Sequence, residues 1–303
     1  MPGTTRTSIR QSTFDRIFDV INYGLLCIVL IIFIYPLLFV LSASISDPNA
    51  IWNGQVWLLP KDISFAGYNM IFGNENIWIG YKNTIIYAIV GTIINLFVTI
   101  TAAYPLSRKD FYARNFLMRA YTFTMFFSGG MIPTYLLVKQ LGMLDTIWAM
   151  IIPNAASVWN VIITRTYFQN NIPDELREAA AIDGCSNIKF LIRIVAPLSA
   201  PIIAVMTLFY GVGHWNAFFN GLIYLSDRNK FPLQLFLREI LILSQMEQNM
   251  LEHVDPHEVS ERMRIAETVK YGVIIVSSLP VLIVYPFVQR HFVKGIMIGS
   301  LKG

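Results

Sequence analysis

Residues 172–201 read IPDELREAAAIDGCSNIKFLIRIVAPLSAP, a polar, helix-punctuated stretch set between two long apolar runs. Pro173 suits the first position of a helix, Asp174 and Glu175 suit the positive end of its dipole, and Gly184 suits the residue just past its end. The spacing predicts a short helix from Pro173 to Asp183, about 16 Å long. Ser186 or Asn187 then caps a second short helix. Its Ile188, Leu191, Ile192 and Val195 form an apolar stripe before Pro197 opens the next apolar run. Two short helices meeting at a glycine make a compact knob, and in a membrane protein such a knob presents a shaped face to the cytosol.

The surroundings are those of a membrane protein. Hydrophobic residues make up 55% of the 303, charged residues only 14%, and the mean hydropathy is +0.53, beyond the balance of a soluble globular domain. A membrane span needs about 20 mostly apolar residues. Six stretches qualify: 19–44, 83–107, 116–138, 146–168, 197–225 and 269–290. The first is too long for the core of a signal peptide and has no clear small-residue cleavage site, so it is expected to remain as a span. The chain then divides into an N-terminal segment (1–18), one six-helix domain (19–290) that includes the knob and a long connection (226–268), and a C-terminal tail (291–303).

Lysine and arginine set the orientation. With the N-terminus in the cytosol, that side carries Arg6, Arg10, Arg16, Arg108, Lys109, Arg114, Arg119, Arg165, Arg177, Lys189, Arg193, Arg290, Lys294 and Lys302. The two short outer connections hold only Lys61, Lys82 and Lys139; the long one, 226–268, carries Arg228, Lys230, Arg238, Arg262 and Arg264 with Lys270 at its edge, but loops of that length are poor reporters and acids accompany these charges. Both termini and the knob are therefore expected inside, and residues 226–268 outside. The net charge of +4 follows the same rule and forms no continuous basic patch, which argues against a nucleic-acid partner. Cys27 and Cys185, one in the first span and one in the knob, cannot meet to form a disulfide.

Several segments have two readings. Trp52, Trp57, Tyr68, Phe72 and Trp78, in the first outer connection, are either interfacial anchors or a sugar platform. Ser128, Gly129, Gly130 and Pro133 bend the third span, for packing or to line a substrate path. The fifth span holds Tyr210, His214, Trp215, Asn216, Phe218, Phe219 and Asn220. Polar groups within a span face a bundle interior or a wet cavity, and rings with amides are also what a sugar requires. Tyr210, Trp215, Asn216, Phe219 and Asn220 are the substrate-path candidates, with helix-to-helix packing as the alternative. Asn160 is a weaker case. The segment FPLQLFLREILILSQ (231–245) predicts a helix on the membrane surface or against a partner, and the polar remainder to 267 suits contact with an external protein. His253 and His257 have the spacing of helical metal ligands, but Pro256 breaks that helix and no further ligand completes a site, so no metal is expected. No phosphate-cradling or hydrolase motif occurs, so the chain is expected to be non-catalytic and to bind no cofactor itself.

Glu178, Ala179, Ala180, Asp183 and Gly184, followed by Ile194, Pro197 and Pro201, resemble the EAA loop of bacterial ABC importer permeases, as does the lead-in Ile172, Pro173, Glu175 and Leu176. Pro133, Gly142, Asp145, Thr146, Pro153, the WNAFFN stretch, FPLQLFLREIL and the C-terminal FVKGIMIGSLKG are similar to the carbohydrate-uptake, MalG-like branch, nearest to LplC- and YtcP-like oligosaccharide permeases. Cys185 stands where that family often has a small residue. The resemblance implies an all-α, polytopic fold of six transmembrane helices, the type I importer (MetI-like) permease fold, in a bacterial cell membrane. It implies coupling to the ATPase through Glu175, Glu178, Ala179, Ala180, Asp183, Gly184, Ile194 and Pro197. It also implies partners: a homologous second permease, two ATP-binding subunits carrying ATP and magnesium, an extracytoplasmic solute-binding protein, and membrane lipid around them. The tail from Lys294 to Gly303 is expected to reach the ATPase. The substrate implied is carbohydrate, from polysaccharide breakdown. A non-sugar solute, a secondary transporter and a membrane-embedded enzyme are the alternatives; an enzyme would need convergent catalytic groups, and a proton- or sodium-coupled carrier usually shows intramembrane acids, which the predicted spans lack except at their ends.

Overall fold

The computed structural model describes residues 12–251 and 261–300. Among these residues the chain is helical with no strand, apart from one isolated antiparallel bridge between Ser46 and Ile63. His253 and His257 lie outside the described residues, as do most of the N-terminal segment and the last three residues of the tail. The described residues form two compact units, one drawn from 12–71 with 247–251 and 261–275, the other from 72–246 with 276–300.

In the first unit, Ser12 starts a 32-residue helix, Thr13–Ser44, through a reciprocal capping box with Asp15. Ser12 N donates to Asp15 Oδ2 at 2.8 Å and Asp15 N donates to Ser12 Oγ at 3.2 Å. This helix buries only Ser42, Ala43 and Ser44, and its aliphatic residues face outward all along its length. A small core of Ala43, Ala50, Ile51 and Val56 follows it, with the Phe39 ring edge-on to Tyr271 at 5.7 Å.

The second unit is organised by the helix Glu75–Ser107, whose Gly80, Thr84, Tyr87, Gly91, Asn95, Thr99 and Ala103 are buried at a spacing of three and four. Small and polar residues in that pattern let neighbouring backbones approach and bond across. Its partners are Ala200–Trp215 and Val158–Asn171, and the joint core includes Ala103, Tyr104, Val161, Phe168, Met206 and Tyr210.

Among the described residues, three helices are long and apolar enough to cross a membrane unaided: Thr13–Ser44, Glu75–Ser107 and the Thr268–Phe287 part of Glu261–Ser300. Two bent pairs bring the number to five if each is one span. They are Ile147–Asn154 with Val158–Asn171, bent by 54°, and Asn187–Leu198 with Ala200–Trp215, bent by 83°. The remaining expected span, 116–138, is two helices, Arg114–Phe126 and Met131–Gln140, parted by an extended Phe127 and by Gly130 at φ +83°. The kink expected from the Ser-Gly-Gly-Met-Ile-Pro run is thus a full break: the first helix stops at Phe126, and Gly130, at a positive φ that favours glycine, stands immediately before the second.

Other boundaries also move. Pro173 is the residue before the knob helix rather than its first residue, with ψ 142°. Pro197 does not open the fifth span; it lies in the turn Ala196–Leu198, and the span begins after Ser199. Pro201 has no N–H to offer the carbonyl of Pro197, which favours a bend there. The fifth span ends at Trp215 rather than near 225, and a separate short helix, Phe219–Tyr224, follows. Residues 231–245 do form a helix, Leu233–Leu251, but it does not simply lie on a surface: Leu233, Leu235, Phe236 and Leu237 are buried within this chain. The last helix continues through much of the expected tail, to Ser300.

Candidate functional site

The knob is built as its residues dictate. Asp174–Ile182 is helical with Asp174 and Glu175 in its first turn. Its end is a Schellman turn: Gly184 N donates to Ala181 O at 3.0 Å and Cys185 N to Ala180 O at 2.9 Å, with Gly184 at φ +70°. Ser186 caps the next helix, Asn187–Phe190, its Oγ accepting from Lys189 N. A π-helical turn, Leu191–Val195, then leads to the bend. Ala180, Phe190 and Val195 are buried and anchor the knob on Ala103, Tyr104, Val161 and Phe168.

The expected stripe of Ile188, Leu191, Ile192 and Val195 is corrected by that wider turn. Phe190 and Val195, five apart, point inward across this wider turn, while Ile188 and Ile192 stay exposed. With Leu176 and Ile182, the latter 88% exposed, they form an apolar face beside the exposed acids Glu175, Glu178 and Asp183. Ala179, Gly184 and Pro197 are also exposed, Ile194 is partly covered and Ala180 is buried. The residues expected to couple therefore combine an open face with one residue, Ala180, that packs the knob on the bundle.

A clamp holds the knob from the connection after the second span. Arg108 donates through Nη2 to Asp110 Oδ2 at 2.5 Å, through Nη1 to Asn187 Oδ1, and lies over the Tyr104 ring at 5.7 Å. Arg177 approaches Asp110 at 3.5 Å, and Lys109 Nζ pairs with Asp174 Oδ2 at 2.8 Å. The hydrogen bond from Arg108 holds the Asp110 carboxyl down to about 2, and that same bond pushes the Arg108 guanidinium up. Lys109 likewise holds the Asp174 carboxyl below its ordinary range. Between clamp and knob opens a cavity of about 520 Å³, lined by Ser107, Lys109, Gln169, Asp174, Glu175 and Arg177 among others. Sequence reasoning assigned Arg108 and Lys109 only to orientation; Asp110 following two cations was the available signal.

The fifth-span candidates separate. Tyr210 is buried, its hydroxyl 2.6 Å from Thr99 Oγ1. Trp215 is buried and donates from Nε1 to Ser277 O at 2.8 Å. It borders an apolar groove of about 470 Å³ formed with Ile89, Ile93, Leu208 and Val281. Asn216 and Phe219 are exposed and Asn220 is partly covered. The structure thus groups Tyr210 and Trp215 with the packing between spans, and Asn216, Phe219 and Asn220 with the open corner at the end of the helix.

His214, buried beside Trp215, completes a polar joint that the sequence did not reveal. Its Nε2 lies 2.6 Å from Asn95 Oδ1, while Asn95 Nδ2 donates to Asn154 O at 2.6 Å and Ala155 O at 2.9 Å. Those carbonyls flank the break in the fourth span. Both amide hydrogens of Asn95 are committed, so its oxygen accepts and His214 carries its proton on Nε2.

At the end of the bundle away from the knob, Asp145 occupies a left-handed position, φ +57°. Its Oδ1 accepts from Ser226 N at 3.1 Å and Asp227 N at 3.0 Å, and its Oδ2 pairs with Lys230 Nζ at 3.1 Å. These backbone bonds hold its carboxyl below the ordinary range.

Residues 77–298 match the family described as "binding-protein-dependent transport system inner membrane component". The chain is 41% identical to the polygalacturonan/rhamnogalacturonan transport system permease protein YtcP of Bacillus subtilis (strain 168), over 95% of this chain and 99% of that one. It is 42% identical to protein LplC of the same organism, over 98% of each. Among solved structures, it superposes on a chain of a bacterial ABC transporter involved in the import of the acidic polysaccharide alginate, with a TM-score of 0.82 and 33% identity, covering 94% of this chain and all of that one.

Proposed function

We propose, for a chain that belongs to the binding-protein-dependent transport system inner membrane components, the role of a permease subunit in an ATP-driven ABC importer of oligosaccharides. The observation that carries the coupling part of this reading is the knob. A short helix closed by a Schellman turn shows an apolar and acidic face to solvent, and the knob is held to the bundle by Arg108 on Asn187, Asp110 on Arg177, and buried Phe190 and Val195. Such a face fits a cleft on an ATP-binding subunit. The similarity to YtcP and to the alginate importer supports carbohydrate as the cargo.

In this reading the chain forms half of a pore with a homologous permease. Two ATPase subunits bearing ATP and magnesium sit beneath it, and a solute-binding protein docks on the opposite side. The lysine and arginine distribution supports a cytosolic knob and cytosolic termini. ATP-driven closure of the ATPase pair displaces the knob. The motion passes through Gly184, the second short helix and the π-turn to the 83° bend, and so reaches the fifth span. The exposed Glu175, Glu178 and Asp183 are placed for ion pairs with basic residues of the ATPase.

Uptake of a labelled oligosaccharide by the complete transporter, with and without its ATPase subunits, tests this proposal. Transport is expected only with the ATPase present. Glu178→Lys is expected to reduce it, with partial recovery when a facing basic residue of the ATPase is reversed to an acid. Undiminished uptake in the absence of the ATPase would instead make the chain a secondary carrier.

A further inference from the structure

The helix Leu233–Leu251 buries Leu233, Leu235, Phe236 and Leu237 and so turns Gln234 and Arg238, four residues apart, toward a common face. That face meets the corner after the fifth span at two points. Gln234 Nε2 donates to Asn216 Oδ1 at 3.4 Å, and the Arg238 guanidinium carbon lies 5.5 Å from the centre of the Phe218 ring. Phe218 and Phe219 are themselves edge to face at 6.3 Å. Asn216, Phe218, Phe219 and Arg238 are all exposed.

The nearby cations differ in one respect. Arg228 is paired with Glu239 at 2.8 Å, and Lys230 with Asp145 and Asp227 at 3.1 and 3.4 Å. Arg238 has no carboxylate within ion-pair distance among the described residues. A guanidinium set over a ring, with no carboxylate beside it, has N–H groups left for a ligand, and those donors match the two oxygens of a planar carboxylate. The half-exposed Phe219 ring offers a surface for the C–H face of a sugar. Asn216, whose oxygen is taken by Gln234, keeps its amide N–H groups for a hydroxyl.

We propose that Arg238, held on Phe218 and flanked by Asn216 and Phe219, is a specificity-determining contact for the carboxylate of an acidic oligosaccharide, one built of uronic acid units. This assignment rests on the carbohydrate reading above and narrows it to an anionic sugar at a named position.

The test is uptake of trigalacturonate and of its carboxyl-reduced counterpart, galactotriose, by the assembled transporter in proteoliposomes, for the unmodified chain, Arg238→Gln and Arg238→Lys. The unmodified transporter is expected to favour trigalacturonate. Arg238→Gln is expected to reduce that preference about tenfold or more, and Arg238→Lys, which keeps charge without the fork, to reduce it less. Equal losses for both sugars in Arg238→Gln would overturn the assignment and give the residue a role in packing or in docking the solute-binding protein. An unchanged preference in Arg238→Gln would overturn it as well, while leaving the carbohydrate reading intact. Uptake of neither sugar by the unmodified transporter would defeat both.

Discussion

The imidazole of His214 lies directly against Gly91: a β-carbon added at Gly91 would come within 2.5 Å of His214 Cε1 and 2.8 Å of its Cδ2. The glycine is therefore a seat for a ring that is already fixed by Asn95. Gly91→Ala is expected to cost about 1 to 3 kcal/mol through overpacking. Combined with His214→Ala, which empties the seat, the loss should be smaller than the sum of the two single changes. Thermal unfolding of the detergent-solubilised complex measures all three; strict additivity would mean that the two residues do not press on each other.

Gly184 has open space around its missing side chain, and its φ of +70° is the constraint. Backbone strain alone then predicts that Gly184→Asn, which tolerates this conformation, retains most uptake. Gly184→Val should cost about 1 to 2 kcal/mol in the turn and uncouple transport from ATP hydrolysis. The check is uptake alongside retention of the ATPase subunits after extraction. Equal behaviour of the two variants would remove the backbone from the explanation.

Asp110 gives a pH prediction. Its folded value of about 2 lies below the ordinary value of about 3.9, so its contribution is complete above about pH 5 and is lost as pH falls through 4 toward 2. With the side chain 46% exposed, solvent screening keeps that contribution to about 1 kcal/mol or less. This contact should add no pH dependence to the unfolding temperature between pH 5 and 8. Asp110→Asn should lower it there and remove part of its fall at acid pH.

Trp215 and Asn216 are adjacent yet should fail differently. Trp215→Ala deletes a buried ring and its bond to Ser277, a change worth about 3 to 5 kcal/mol, so it is expected to reduce the amount of assembled complex. Asn216→Ala touches an exposed amide and should leave assembly intact while weakening oligosaccharide uptake about five-fold or more. Loss of assembly in Asn216→Ala would place that residue with the packing instead.

The parts of this protein legible in its sequence are those set by local chemistry. Gly184 after an alanine-rich helix, Ser186 before the next, and Gly130 beside Pro133 each act within a turn of themselves, and each falls where a break or cap was expected. What escaped depends on partners far along the chain. Nothing near Asn95 announces that it meets Asn154, Ala155 and His214, and nothing near Phe190 announces the π-turn that brings Phe190 and Val195, five apart, to the same buried side. The substrate-path set mixed two populations for the same reason. An aromatic residue in an apolar run looks alike whether it faces a neighbouring helix, as Trp215 does, or open space, as Phe219 does.

The break in the fourth span has a consequence for biogenesis. The carbonyls of Asn154 and Ala155 lack partners in their own segment, and in hydrocarbon each unmet carbonyl would cost several kcal/mol. Their donor, Asn95, is synthesised about sixty residues earlier, but the imidazole that fixes that donor arrives about sixty residues later, at His214. A nascent chain that has emerged only through the fourth span therefore holds an unfinished joint in the bilayer. Translation of the fifth span locks it, so truncations ending before His214 are expected to be cleared by membrane quality control, whereas those ending just beyond the fifth span should persist longer.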